Sequence, residues 1–198
     1  MIRETAYDTI FQAQADFRLI MDCMANPGKI HQLSADIQAV EALLPASALV
    51  GLALMNADVS FYVGNGHQTA ESYFVLNTSA RPASAAQADF LFLGGQEDAA
   101  SAILDAPEGE LAYPEKGAFI ILETMGVSNE PLPDALALVL RGPGVDGERQ
   151  LFVQGLNGQV LEALNQKNQE YPLGIDTIFT DPAGHTLGLP RSIKITID

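Results

Sequence analysis

The polar and apolar positions of the chain fall into a β-α alternation. Ile10, Ala13, Phe17, Ile20, Met21 and Met24 recur at spacings of three and four, which predicts an amphipathic helix over residues 9–25, ended by Asn26-Pro27-Gly28. Arg18 and Asp22 stand four apart on a neighbouring face and are expected to form a surface ion pair. Residues 29–33 read as a short strand, and residues 34–44 are helical in composition up to Pro45. That proline suits the first turn of a helix over residues 46–56, which is apolar all round and so expected to be buried.

Residues 59–63 form the next predicted strand, Gly64-Asn65-Gly66 its turn, and residues 67–76 a helix with Phe74 and Leu76 inward. A buried strand at 90–93 is closed by Gly94-Gly95, and residues 97–104 make a short helix whose acidic start suits its dipole. Residues 107–117 read as an irregular acidic connection. Two runs, 119–122 and 136–140, are wholly apolar, the mark of interior strands covered on both faces, with a loop at 126–133 between them. The last predicted helix, 158–169, carries the stripe Val160, Leu161 and Leu164.

The C-terminal region reads as a hairpin. Ile175, Thr177, Ile178, Phe179 and Thr180 have strand composition, as do Thr186, Leu187 and Leu189. Between them Asp181-Pro182-Ala183-Gly184 has the residues of a type I turn. The hairpin is entered through Pro172 and left through Pro190-Arg191, and Ile193, Ile195 and Ile197 then alternate as a half-buried edge strand. About seven strands and five or more helices imply an α/β fold, a three-layer α/β/α arrangement with a mixed sheet, because the hairpin is antiparallel. At 198 residues the chain is taken as a single domain, residues 1–198.

Charge narrows the partners. With 25 acidic against 10 basic side chains the net charge is −15, so duplex nucleic acid and an anionic membrane are both repelled and neither is expected as a partner. An anionic ligand needs a local cluster of the few basic residues. The longest apolar run, 42–55, contains Pro45 and falls short of the ~20 residues of a membrane span. Glu4 and Asp8 stand where a signal peptide needs basic and then apolar residues, so a cytoplasmic location is expected. Cys23, the lone cysteine, lies among Ile20, Met21 and Met24 and reads as a structural thiol.

Few residues form a chemical constellation. The stretch Gly142-Pro143-Gly144-Val145-Asp146-Gly147 matches the glycine pattern of a dinucleotide loop, but Pro143 removes a donor and no helical period follows, so a structural turn is expected. His31, His67 and His185 are too widely separated for a metal set, and no metal is expected. His185, opening the second hairpin strand, has two readings: a surface imidazole, or a partner of Asp176 across the ladder.

Three stretches carry a resemblance. Tyr171-Pro172-Leu173-Gly174-Ile175-Asp176 followed by Leu189-Pro190-Arg191, then Phe17-Arg18 with Met24-Ala25-Asn26-Pro27-Gly28, and Arg141-Gly142-Pro143-Gly144 together resemble PhnH, a subunit of the bacterial carbon–phosphorus lyase system. The resemblance implies the fold of the major domain of PLP-dependent transferases without the PLP site. A Schiff-base lysine must be desolvated beside a carboxylate. Lys167 is placed at a solvated helix end, Lys116 in an acidic loop and Lys194 on an edge strand, which leaves Lys29 alone open, and no cofactor is expected.

Arg18, Arg141 and Arg191 fall inside the three stretches and are the anion-binding candidates, since a guanidinium grips a phosphonate or carboxylate by two parallel bonds. Their competing readings are a helix-surface pair, a turn anchor and a strand-end charge. The resemblance further implies homodimerisation, assembly with PhnG, PhnI and PhnJ subunits, and a part in joining a phosphonate to the ribose of ATP before C–P cleavage. The residues themselves offer no nucleophile with a base and no phosphate cradle, but do offer apolar segments and a strand edge suited to docking. An accessory subunit without independent catalysis is therefore expected; the rival is a free-standing PLP- or nucleotide-binding transferase.

Overall fold

The computed structural model describes residues 7–33, 37, 40–95 and 98–198. Along the chain run α1 (Phe11–Ala25), β1 (His31–Gln32), α2 (Pro45–Leu54), β2 (Ser60–Val63), α3 (Gln68–Thr78), β3 (Arg81–Pro82), β4 (Phe90–Gly94) and α4 (Asp98–Asp105). There follow β5 (Glu108–Glu110), β6 (Tyr113–Gly117), β7 (Phe119–Glu123), β8 (Gly126–Ser128), β9 (Ala135–Arg141), β10 (Arg149–Gln154), α5 (Gly158–Lys167), β11 (Asp176–Thr180), β12 (His185–Leu189) and β13 (Lys194–Ile197).

The main sheet has seven strands in the order β1-β12-β11-β7-β4-β2-β3. It is mixed, as expected: β11, β7, β4, β2 and β3 are parallel, whereas β12 is reversed by the C-terminal hairpin and pairs antiparallel with both β11 and β1. Strand alternation sends successive side chains to opposite faces. Phe92, Ile121 and Ile178 face a layer of α1, α2 and α3, whose Ile20, Leu49 and Phe74 are fully buried against them. Leu93, Leu122 and Phe179 face the other way, toward Ile103 of α4 and Val160 and Leu164 of α5.

That second layer is not helical throughout, and here the three-layer expectation is corrected. The run at 136–140 belongs to β9 in a separate antiparallel sheet, ordered β13-β9-β10-β8, which lays Leu138, Leu140, Leu151 and Val153 on the same core. An all-apolar run needs only one covered face when its outward positions are as small as Ala135, Ala137 and Val139, which remain half-buried. Residues 107–117 are not irregular but pair as the β5-β6 hairpin, with Gly109 at a φ of +83°. Part of the loop at 126–133 is β8.

Helix α2 is buried, with Pro45 in its first turn. In α1 the buried positions are Asp16, Ile20 and Cys23, while Ile10, Phe17 and Met21 of the predicted stripe are exposed. Asp16 is held inside by the Tyr7 hydroxyl, 2.9 Å away, and this rotates the covered face away from Phe17. Leu76, expected inward, is 46% exposed because Tyr73 and Phe74 take the core positions of α3. Of the helical reading of 34–44, residues 34–36, 38 and 39 lie outside the described residues, as does Glu97, while 40–44 are not helical: Val40 and Leu43 close a turn as an isolated bridge. No helix among the described residues is long and apolar enough to cross a membrane.

Candidate functional site

The C-terminal hairpin forms as predicted, and its turn fixes its register. Thr180 faces Thr186 and Thr177 faces Leu189, so Asp176 emerges beside Pro190 and Arg191, and His185 beside Asp181. Two of the candidate residues therefore meet. The Asp176 carboxylate accepts from the backbone N–H of Arg191 at 2.9 Å, from Nη2 at 2.6 Å and from Nε at 3.2 Å. Nη1 of the same guanidinium donates to the Pro114 carbonyl at 2.6 Å. Gly117 lies over the guanidinium, where a Cβ would come within 2.8 Å of Nη1. Asn168, just past α5, bonds both the N–H and the carbonyl of Ile175 and so fixes the entry to β11.

His185 does not approach Asp176, contrary to the cross-ladder expectation. Its Nδ1 meets Asp181 Oδ2 at 2.9 Å, and the buried Asp181 also accepts the N–H groups of Ala183 and His185, so this carboxylate organises the turn. Arg141 makes an exposed ion pair with Glu148 at 2.5 Å. Arg18 does not pair with Asp22, whose carboxylate bonds Lys29 at 2.6 Å and also His31. These two partners hold the Asp22 carboxyl below its usual range. Lys167 is not at a solvated end: its side chain is 12% exposed and faces Glu108 at 3.5 Å. Cys23 is fully buried and its thiol is pushed up to about 11, chiefly by burial.

The glycine-rich stretch at 142–147 connects β9 to β10 as a hairpin, with no helix behind it, which removes the dinucleotide reading. It is a packing element instead. A Cβ on Gly144 would sit 2.6 Å from the Ala25 carbonyl and 2.8 Å from Pro27, and one on Gly28 would sit 2.7 Å from the Arg149 side chain. Arg149 in turn donates to the Pro27 carbonyl at 3.0 Å. On its other side Gly142 abuts Ser192 and Ile193, just beyond Arg191.

Sequence reasoning missed the crevice at the carboxyl ends of the parallel strands. Thr180, Glu123 and Gly94 are register partners on β11, β7 and β4, on the face toward α2. Thr180 is bonded by Ser47 at 2.8 Å, and Glu123 Oε1 accepts the Leu44 N–H at 2.7 Å. Gly94 offers no side chain, and beside it opens a cavity of about 370 Å³ lined by Leu43, Leu44, Val63, His67, Phe92 and Glu123 among others. Burial raises the Glu123 carboxyl above its usual value, against the opposing bonds from Ser47 and Leu44 and the nearby His67 charge. The only signal in the sequence is that an otherwise apolar strand ends on an acid. A shallower depression of about 460 Å³ lies by Gly28, Lys29, Asn129 and Arg149.

A family profile described as "Bacterial phosphonate metabolism protein (PhnH)" matches residues 5–196. The chain belongs to the PhnH family. It is similar to the protein named alpha-D-ribose 1-methylphosphonate 5-triphosphate synthase subunit PhnH of Rhizobium meliloti (strain 1021), with 26% identity over 95% of this chain and 92% of that one. It is also similar to HtxG of Stutzerimonas stutzeri, provisionally named as a C-P lyase subunit, with 28% identity over 93% of this chain and 86% of the other. The PhnH-like stretches are distant in sequence, yet the turn after α1, the β9-β10 hairpin and the exit from β12 are neighbours in space.

Proposed function

We propose that this chain is a subunit of a carbon–phosphorus lyase assembly and supports phosphonate catabolism at the step that forms ribose 1-phosphonate 5-triphosphate from ATP and a phosphonate, without independent catalysis. The observation that supports this most is the match to the PhnH family from residue 5 to residue 196, together with relatives named as subunits of such a synthase or lyase. Its partners in this reading are PhnG, PhnI and PhnJ subunits and a second copy of itself, in the cytoplasm. Exposed Ile10, Phe11, Phe17 and Met21 along α1 are the kind of apolar surface that a partner covers. Arg18, exposed on the same helix, and Arg141, at the β9-β10 hairpin, are the candidate arginines left at the surface for an anion or an acidic partner.

The same reading takes the frame to be that of the PLP-dependent transferases stripped of the cofactor. The described residues of the crevice include no lysine, so they do not fit a Schiff base there. Lys29, the one left open by sequence, is half-exposed and paired with Asp22.

Co-expression with the three other subunits tests the proposal. A stable complex is expected, and loss of phosphonate-dependent growth on deleting this subunit; a chain that elutes alone at micromolar concentration beside its co-expressed partners overturns it. Treatment with PLP and borohydride tests the rival, which stable labelling of Lys29 supports.

A further inference from the structure

We propose that the crevice over β4 is a binding site for the ring of a neutral, hydroxyl-bearing small molecule of pentose type, anchored by the Glu123 carboxyl group. The topology places a site there. After β2 the chain passes through α3, on one face of the sheet, to β3; after β4 it passes through α4, on the other face, to β7. Neighbouring strands β2 and β4 thus send their following segments apart, and a gap opens at their carboxyl ends. Brackets of protein fill the row beyond: Ser47 reaches Thr180 and the Leu44 N–H reaches Glu123. At Gly94 none of the described residues does, and a Cβ there would have none of their heavy atoms within 4 Å.

The lining selects the ligand. Leu43, Leu44, Val63 and Phe92 give apolar walls, Glu123 and His67 are the ionisable groups, and no lysine or arginine is present among the described lining residues. A phosphate or phosphonate placed there meets the Glu123 carboxylate with no lysine or arginine among the described lining residues, and only His67, to offset it. A wholly apolar ligand leaves the half-buried carboxyl without partners on its open side. A sugar ring satisfies both demands: adjacent hydroxyls donate to Glu123 while the C–H face covers the apolar wall. The volume, about 370 Å³, lies at the small end of ligand pockets. The inference rests on the proposed function only in choosing ribose, the ring named in the Rhizobium relative's product.

Amide NMR titration of the full chain with D-ribose, with adenosine and with methylphosphonate tests it. Saturable shifts at the amides of Leu44, Gly64 and Gly94 are expected with ribose or adenosine at millimolar concentration and not with methylphosphonate. Glu123→Gln is expected to weaken binding about tenfold, equivalent to ~1.4 kcal/mol. Gly94→Leu, which fills the gap, is expected to abolish it with the remaining spectrum retained. Absence of saturable shifts with both sugars, shifts with methylphosphonate alone, or unaltered binding by Glu123→Gln overturns the inference. Failure here with a complex still formed by co-expression leaves the subunit reading intact, and sugar binding by a chain that forms no complex overturns that reading alone.

Discussion

Arg191 holds Asp176 through both its backbone N–H and its guanidinium, tying the exit of one hairpin strand to the start of the other. The pair is mostly enclosed, with the Arg191 side chain 13% and the Asp176 side chain 25% exposed. Breaking such a pair by removing one partner leaves an uncompensated charge. Arg191→Ala is expected to destabilise the fold by about 3 kcal/mol in urea denaturation. Adding Asp176→Ala to it is expected to cost little more. A fully additive double mutant would show that the two residues act separately.

Gly144 is expected to behave as architecture. Its φ is +81°, a conformation that side chains other than glycine's rarely adopt, and a Cβ would press on the Ala25 carbonyl. Gly144→Ala is expected to lower stability by more than about 1 kcal/mol. Arg18→Ala, at an exposed position, is expected to stay within about 0.5 kcal/mol of the parent protein. Thermal melts of the two variants side by side check this, and equal melting temperatures contradict it.

Glu123 gives a pH signature. Its carboxyl is raised above the usual 4.5 by burial, so the folded chain binds this proton more tightly than the unfolded one. The resulting contribution to stability is fully present below 4.5 and is lost as pH rises through the folded value. Glu123→Gln removes the cost of burying the charge. The variant is therefore expected to melt higher than the parent near neutral pH, with the difference shrinking as the pH falls through the raised folded value toward 4.5. Asp16, also raised by burial, acts with the same sign.

Cys23 is expected to resist alkylation in the native state. Its thiol is fully buried, donates to the Thr186 carbonyl at 3.4 Å and ionises only near about 11. Iodoacetamide at mildly alkaline pH is expected to label it fully in denaturant and hardly at all in the folded protein, as read by intact mass. Rapid native labelling would show that α1 lifts from β12.

Much of this was legible in the chain. Asp181-Pro182-Ala183-Gly184 specified the hairpin turn, Pro45 the start of α2, and the run at 119–122 the strand at the heart of the sheet. The turn also carried more than was drawn from it: with Thr180 opposite Thr186, Asp176 is bound to emerge beside Arg191 and His185 beside Asp181. The apolar run of β9 misled because hydrophobicity reports that a strand is covered and not which sheet it joins. Glu123 was lost among 25 acids, where spacing carries no signal. Only the side-by-side placement of β7 and β4 shows that its neighbour is the empty Gly94.

The order of strands also sets when this protein can fold. β11 and β12 follow the other five strands of the main sheet along the chain, yet they stand between β1 and β7 rather than at a border of the sheet. Until they arrive, α1 has no floor and β1 has no neighbour. Completion of the native sheet therefore waits for residues 176–189, and a nascent fragment stalled before residue 176 exposes the flanks that the hairpin later joins.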